Sequence, residues 1–116
     1  MTGAPHFSPC VTTDALCFLS GQLAFDAQGR IEGDIASQTR QCLDNAEAIL
    51  AGQGLSRTDI VKVTVFLTDK ANAAGFNIAY ADFFGADRPA RSTVVCDLLL
   101  PGALIEIEMI AALRPA

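Results

Sequence analysis

Apolar residues recur along this chain with two different periods, and the switches between them mark out its elements. Leu16 to Phe25 reads as strand sequence interrupted at Ser20-Gly21-Gln22, where a glycine inside an apolar run signals either a bulge with close backbone approach or a bend between two strands. Asp26 to Gly29 supplies turn chemistry. From Asp34, a helix cap, the spacing becomes helical: Ile35, Cys42, Leu43, Ala46, Ile49 and Leu50 fall on one stripe, and Gly52 and Gly54 stop the run. Ile60 to Leu67 is rich in β-branched residues and reads as a strand near the centre of a sheet.

Thr68 or Asp69 opens a second helix whose buried stripe is Phe76, Ala79, Tyr80 and Phe83, ended by Gly85. Asn77 sits beside that stripe, as an exposed amide or a functional one. A strand is expected from Ser92 to about Asp97, a turn at Leu99 to Gly102, and a last strand from Leu104 to about Ala112. Met1 to Thr13, with Pro5 and Pro9, reads as an irregular lead-in. The order β-β-α-β-α-β-β, without repeat or linker, predicts one two-layer α+β domain over residues 1–116, with two helices on one face of a mixed sheet. The other face then needs a cover, which further subunits would supply.

Three charges interrupt the apolar strands near the end. Ile105, Ile107 and Met109 alternate with Glu106, Glu108 and Ile110, so one face of the last strand is core and the other carries carboxylates. Isolated charges are costly to bury, so Arg91, Glu106 and Glu108 must reach water, pair with one another, or meet a ligand. If the turn at Leu99 to Gly102 closes a simple antiparallel pair, Arg91 faces Ile110, four residues or roughly 13 Å from Glu106. A small-molecule site using both groups then needs a bulge, a different pairing, or two chains. An ion pair of Arg91 with Glu106 at a subunit interface is the competing reading, and Glu108 suits an interface salt bridge.

Composition adds the question of assembly. Apolar residues make up 51% of 116 residues, and mean hydropathy is +0.35, so a monomer would expose apolar surface and a closed ring or dimer is expected. A net charge of -5 without a cluster of Lys or Arg offers no footprint for nucleic acid or anionic lipid. No basic leader with an apolar run and no stretch near the ~20 apolar residues of a membrane span is visible, which implies a soluble cytoplasmic protein. Cys10, Cys17, Cys42 and Cys96 include no Cys-x-x-Cys pair and His6 is the only histidine, so no metal is expected and the thiols read as reduced, Cys42 and Cys96 as buried packing.

Ser20-Gly-Gln22, Gly33-Asp34 with Gln38-Thr39, Asn45, Asp59-Ile-Val-Lys62, Asn77 with Tyr80 and Phe83-Phe84, Pro89-Ala-Arg-Ser92 and Ile105-Glu-Ile-Glu108 occur in the order and approximate spacing of the RidA family (YjgF/YER057c/UK114), which this sequence resembles over roughly residues 7 to 113. The resemblance implies a chorismate-mutase-like fold, a homotrimer with clefts between subunits, and cofactor-independent hydrolysis of enamines and imines such as 2-aminoacrylate to a 2-oxo acid and ammonium, the activity of a 2-iminobutanoate/2-iminopropanoate deaminase. It assigns Arg91 to the substrate carboxylate, Glu106 to the hydrolytic water, and Ser20, Gly21 and Asn77 to the cleft wall. Thr93 stands where well-known deaminases of the family carry a cysteine, and Cys10 where they carry a tyrosine.

Two other function classes remain open on these residues. The same cleft could hold a small carboxylate without turning it over, as a binding or regulatory module, which the absent aromatic at Cys10 favours. A specialised deaminase for 3-aminoacrylate or aminomuconate-type substrates is the other, and the short loop Gly85 to Pro89 resembles that of the former group.

Overall fold

In a computed structural model describing residues 5–115, five strands and two helices form the two-layer α+β arrangement that the sequence predicts. The elements are β1 (Cys10–Thr12), β2 (Leu16–Gln22), α1 (Ile35–Gly52), β3 (Ile60–Leu67), α2 (Ala73–Phe84), β4 (Ala90–Val95) and β5 (Ile105–Ala112). The sheet order is β1-β2-β5-β3-β4. Only the β3–β4 pair is parallel, because α2 returns the chain to the start of the sheet between them.

The helix boundaries follow local chemistry. The Asp34 side chain accepts from the Ser37 N–H at 2.9 Å and caps α1. Asp69 caps a single 3₁₀ turn, Lys70–Asn72, which leads directly into α2. Gly85 ends α2 at a φ of 61° that a side chain would disfavour. Strict alternation does the rest: Val63, Val65 and Leu67 of β3 and Ile105, Ile107, Met109 and Ala111 of β5 are buried beneath Cys42, Leu43, Ala46, Leu50, Phe76 and Phe83.

Several expectations are corrected. The segment read as an irregular lead-in contains β1, a three-residue edge strand paired with β2 through Cys10–Leu19 and Thr12–Cys17, too short for a period to show; residues 1–4 lie outside the described part. Leu16 to Phe25 holds one strand, not two, since β2 runs through the glycine and Phe25 keeps only an isolated bridge to Ile31. Strand β3 is interior, as expected, flanked by the central strand β5 and the edge strand β4. Strand β4 begins two residues earlier than predicted and ends at Val95. It does not pair with β5: residues 96–104 form too wide a connection for a hairpin, and β5 crosses to the far side of β3. Cys96 is exposed, where buried packing was expected, because it lies beyond the end of β4.

The sheet face away from the helices carries Val11, Phe18, Phe66 and Val94 among Glu106, Glu108, Lys62 and Thr64, by the registers Phe18–Ile110, Phe66–Glu106 and Phe66–Val94. Val11 is 56% exposed and Val94 45%. No helix among the described residues is long and apolar enough to cross a membrane.

Candidate functional site

Arg91 lies on the helix side of edge strand β4, opposite buried Val63 of β3. Its guanidinium carbon sits 4.9 Å from the Phe76 ring centre and 4.8 Å from that of Tyr80, and Nη2 donates to Asn77 Oδ1 at 2.9 Å. These three α2 residues share the helix face toward β4 and hold the planar cation in one orientation. A guanidinium has five N–H donors, and among the described residues Asn77 takes one, so the rest can meet a carboxylate. Beneath it the Tyr80 hydroxyl is buried without a hydrogen-bond partner among those residues; burial pushes its pKa up to about 12 against the pull of Arg91.

Glu106 occupies the other face, on β5 opposite Phe66. Where β2 bulges between Leu19 and Gln22, the Gly21 backbone comes so close that a Cβ there would lie 2.9 Å from the Glu106 carboxyl carbon. A side chain at this position would have to displace the Glu106 carboxylate, so the glycine serves that contact rather than an unusual torsion. Burial raises the Glu106 pKa above its ordinary value, and the neighbouring Glu108 carboxylate raises it further. Such a carboxylate is a better proton acceptor than a free one.

Two hollows flank it. One of about 420 Å³ is lined by Gly21, Phe7, Leu23, Phe25, Leu99 and Leu100 along with Pro5 and Glu106. The other, about 270 Å³, has Phe66, Cys96, Asp97, Leu98, Leu99, Glu106 and Glu108 in its wall.

The residues singled out in the sequence thus separate into groups. Arg91 and Thr93 stand on the helix side of β4 with Asn77. Ser20, whose hydroxyl donates to the Ser8 carbonyl at 2.6 Å, and Gly21 form the bulge beside Glu106. Cys10 stands alone on the outer strand β1, its side chain packed against the core on the helix side. Two strand spacings and three residues separate Arg91 from Glu106, roughly 14 Å, with the sheet between them. Within one chain they form neither an ion pair nor a common site. The remaining thiols offer little: burial pushes the Cys42 pKa to about 12, with Glu106 adding to the shift, and burial also raises Cys17.

Two positioning residues gave no sign of their role in the sequence. The buried Gln38 donates from Nε2 to the carbonyls of Gly33 and Gly102 and accepts the Leu104 N–H at 2.9 Å, fixing the entry to β5 one residue before Ile105. Asn45 donates to the carbonyls of Leu23 and Phe25 at 3.1 and 2.9 Å and so pins the segment after the bulge.

The chain matches known proteins over nearly its whole length. The model of the endoribonuclease L-PSP family matches residues 1–113, and the chain belongs to this family, the one that includes the Rid and YjgF proteins. It is 43% identical over 107 residues to the RutC family protein PH0854 of Pyrococcus horikoshii, covering 90% of this chain and 85% of that one. The Yersinia pestis protein YyfA, of unknown function in the conserved Rid family, superposes with a TM-score of 0.90 at 38% identity, over 97% of this chain and 91% of its own. E. coli TdcF, solved with bound serine, superposes with a TM-score of 0.89 at 35% identity over the same shares.

Proposed function

We propose that the chain hydrolyses reactive enamines and imines of amino acids, such as 2-aminoacrylate, to a 2-oxo acid and ammonium, in clefts between the subunits of a homotrimer. The observation that carries this reading is the placement of Arg91 and Glu106 on opposite faces of one sheet: each is half of a site that a neighbouring subunit completes. The exposed apolar residues of the open face supply the reason to associate. The serine bound to TdcF, a small amino acid, supports a cleft for amino-acid-like ligands.

The chemistry needs few groups. Arg91 grips the substrate carboxylate through two parallel hydrogen bonds and presents the electrophilic C=N carbon to Glu106 of the adjacent subunit. Glu106 takes a proton from water as the hydroxyl bonds to that carbon, giving a tetrahedral carbinolamine. It returns the proton to nitrogen, the C–N bond breaks as the hydroxyl collapses to the C=O, and the released proton leaves with ammonia as ammonium. An iminium and a water thus become a 2-oxo acid and ammonium. An enamine enters after its methylene carbon takes up a proton.

A role in cleaving RNA fits poorly, because a chain of net charge -5 with Glu106 and Glu108 on its open face repels a phosphate backbone. The test is ammonia release from enzymatically generated 2-aminoacrylate, set beside 3-aminoacrylate. Turnover of the first establishes the reading, turnover of the second alone makes the chain a specialised deaminase, and binding of pyruvate without turnover of either makes it a binding module.

A further inference from the structure

Resting on the deaminase reading, a step further concerns which imine fits. The reacting carbon of a 2-imino acid carries three substituents: a carboxylate, a nitrogen and a side chain. Arg91 claims the carboxylate. The two hollows flanking Glu106 differ in kind. The smaller brings Asp97 and Glu108 beside Glu106 in a wall that also holds Phe66, Leu98 and Leu99, and that concentration of negative charge suits an iminium nitrogen or departing ammonium better than a hydrocarbon side chain. The larger, about 420 Å³, presents Phe7, Leu23, Phe25, Leu99 and Leu100, with Glu106 the one ionisable group in its wall among the described residues. That volume lies within the roughly 300–1,000 Å³ of small-molecule sites and far exceeds what a methyl group needs.

Its walls are held in place. Asn45 ties down the backbone of Leu23 and Phe25, Gln38 anchors the chain just after Leu100 at Gly102 and Leu104, and Ala103 donates to the Leu100 carbonyl at 3.3 Å. Leu99, nevertheless, is 99% exposed and Phe7 64%. Apolar groups left open to water around a built hollow gain from a hydrocarbon occupant.

We propose that this hollow receives the substrate side chain, and that the site therefore prefers 2-imino acids bearing branched or aromatic hydrocarbon side chains to the methyl-bearing 2-iminopropanoate. Burying three or more additional carbons favours the larger substrate by at least about tenfold.

The experiment has a binding arm and a turnover arm. Titration calorimetry compares 4-methyl-2-oxopentanoate and 3-phenyl-2-oxopropanoate with pyruvate, and hydrolysis is followed for the imines that an L-amino acid oxidase makes from leucine, phenylalanine and alanine. We expect at least about tenfold tighter binding and a similarly higher kcat/KM for the larger members, with the ratio collapsing toward parity in Leu99→Asn and Phe25→Asn. Leu99 is fully exposed in the single chain, so its variant tests the hollow without risk to the fold of that chain. Equal affinity for pyruvate and the larger oxo acids, or a preference that survives both substitutions, overturns the proposal. If the oxo-acid preference holds and no imine is hydrolysed, the hollow stands and the deaminase reading falls; if alanine's imine is hydrolysed best, the reverse is true.

Discussion

The backbone of Gly21 lies where any side chain would collide with the carboxylate of Glu106. The bulge in β2 and the carboxylate on β5 are therefore one device: the bulge leaves the space, and the carboxylate fills it. Gly21→Ala should displace Glu106 from that position. Because Gly21 has no positive φ, the substitution itself strains little backbone, and stability should change by less than about 1 kcal/mol. Imine hydrolysis should fall by about 10- to 100-fold, since a misplacement near 1 Å costs that much. Urea denaturation beside steady-state rates checks both halves; a lost fold with intact specific activity in the remaining soluble protein would contradict the pairing.

The pH behaviour follows from the raised pKa of Glu106. As a base it must be ionised, so activity should climb through a limb lying above the ordinary carboxylate value of 4.5, and Glu106→Gln should abolish the limb with the activity. Stability has the opposite sign. A carboxyl with a raised pKa binds its proton more tightly folded than unfolded, so stability declines as pH rises from 4.5 through the raised value. Glu106→Gln should thus melt higher than the parent at pH 7, by about 1 °C because the half-exposed carboxylate is screened, and show no gain at pH 4. Thermal scans at the two pH values decide it.

Much of this is legible in the sequence alone. The alternation from Ile105 to Ala112 and the capped helix from Asp34 depend on neighbours in sequence, and they stand where periodicity put them. The glycine at Gly21 showed a bulge or a bend, but only the partner strand reveals that Glu106 is what approaches it. The β4–β5 pairing failed because a Pro-Gly turn reads as a hairpin locally, while the parallel alternative is set by the crossover through α2 and by where β5 finds a fully apolar face. Three-residue β1 exists only through its partner, so no local period could announce it. The apolar hollow was invisible for a similar reason: Phe7, Phe25 and Leu99 come from three loops.

Gln38 tests how much the site depends on its tether. Gln38→Leu keeps the volume but leaves the carbonyls of Gly33 and Gly102 and the Leu104 N–H without partners, which should cost about 2–4 kcal/mol. Denaturant midpoints measure this, and the unchanged slope expected alongside separates lost stability from a changed unfolded state. A cost under about 0.5 kcal/mol would show that water replaces the amide.

Arg91 has a cation–π seat and one hydrogen bond to hold its orientation. Arg91→Lys keeps the charge but loses the fork, so hydrolysis should fall by one to three orders of magnitude, equivalent to about 1.4–4 kcal/mol, with assembly intact. Asn77→Ala removes only the positioning bond and should raise KM by about 3- to 10-fold with little change in kcat. Full activity in Arg91→Lys together with a dissociated oligomer in Arg91→Ala would make Arg91 an interface residue instead.

The shared site makes the strongest claim, because two dead proteins should restore one another. Arg91 and Glu106 of one chain are separated by the sheet, so under the proposed trimer each site would take its arginine from one subunit and its carboxylate from the next. Arg91→Ala and Glu106→Gln should each be inactive alone. Co-expressed in equal amounts, they form mixed trimers in which a site is intact when its arginine comes from a Glu106→Gln chain and its carboxylate from an Arg91→Ala chain, about one site in four at random mixing. Activity should therefore return to about a quarter of the parent level, and sedimentation should show one trimeric species near three times the 12.2 kDa chain mass. Activity that stays absent in verified mixed trimers would mean that one chain holds the whole site, and a monomer at micromolar concentration would remove the cleft altogether.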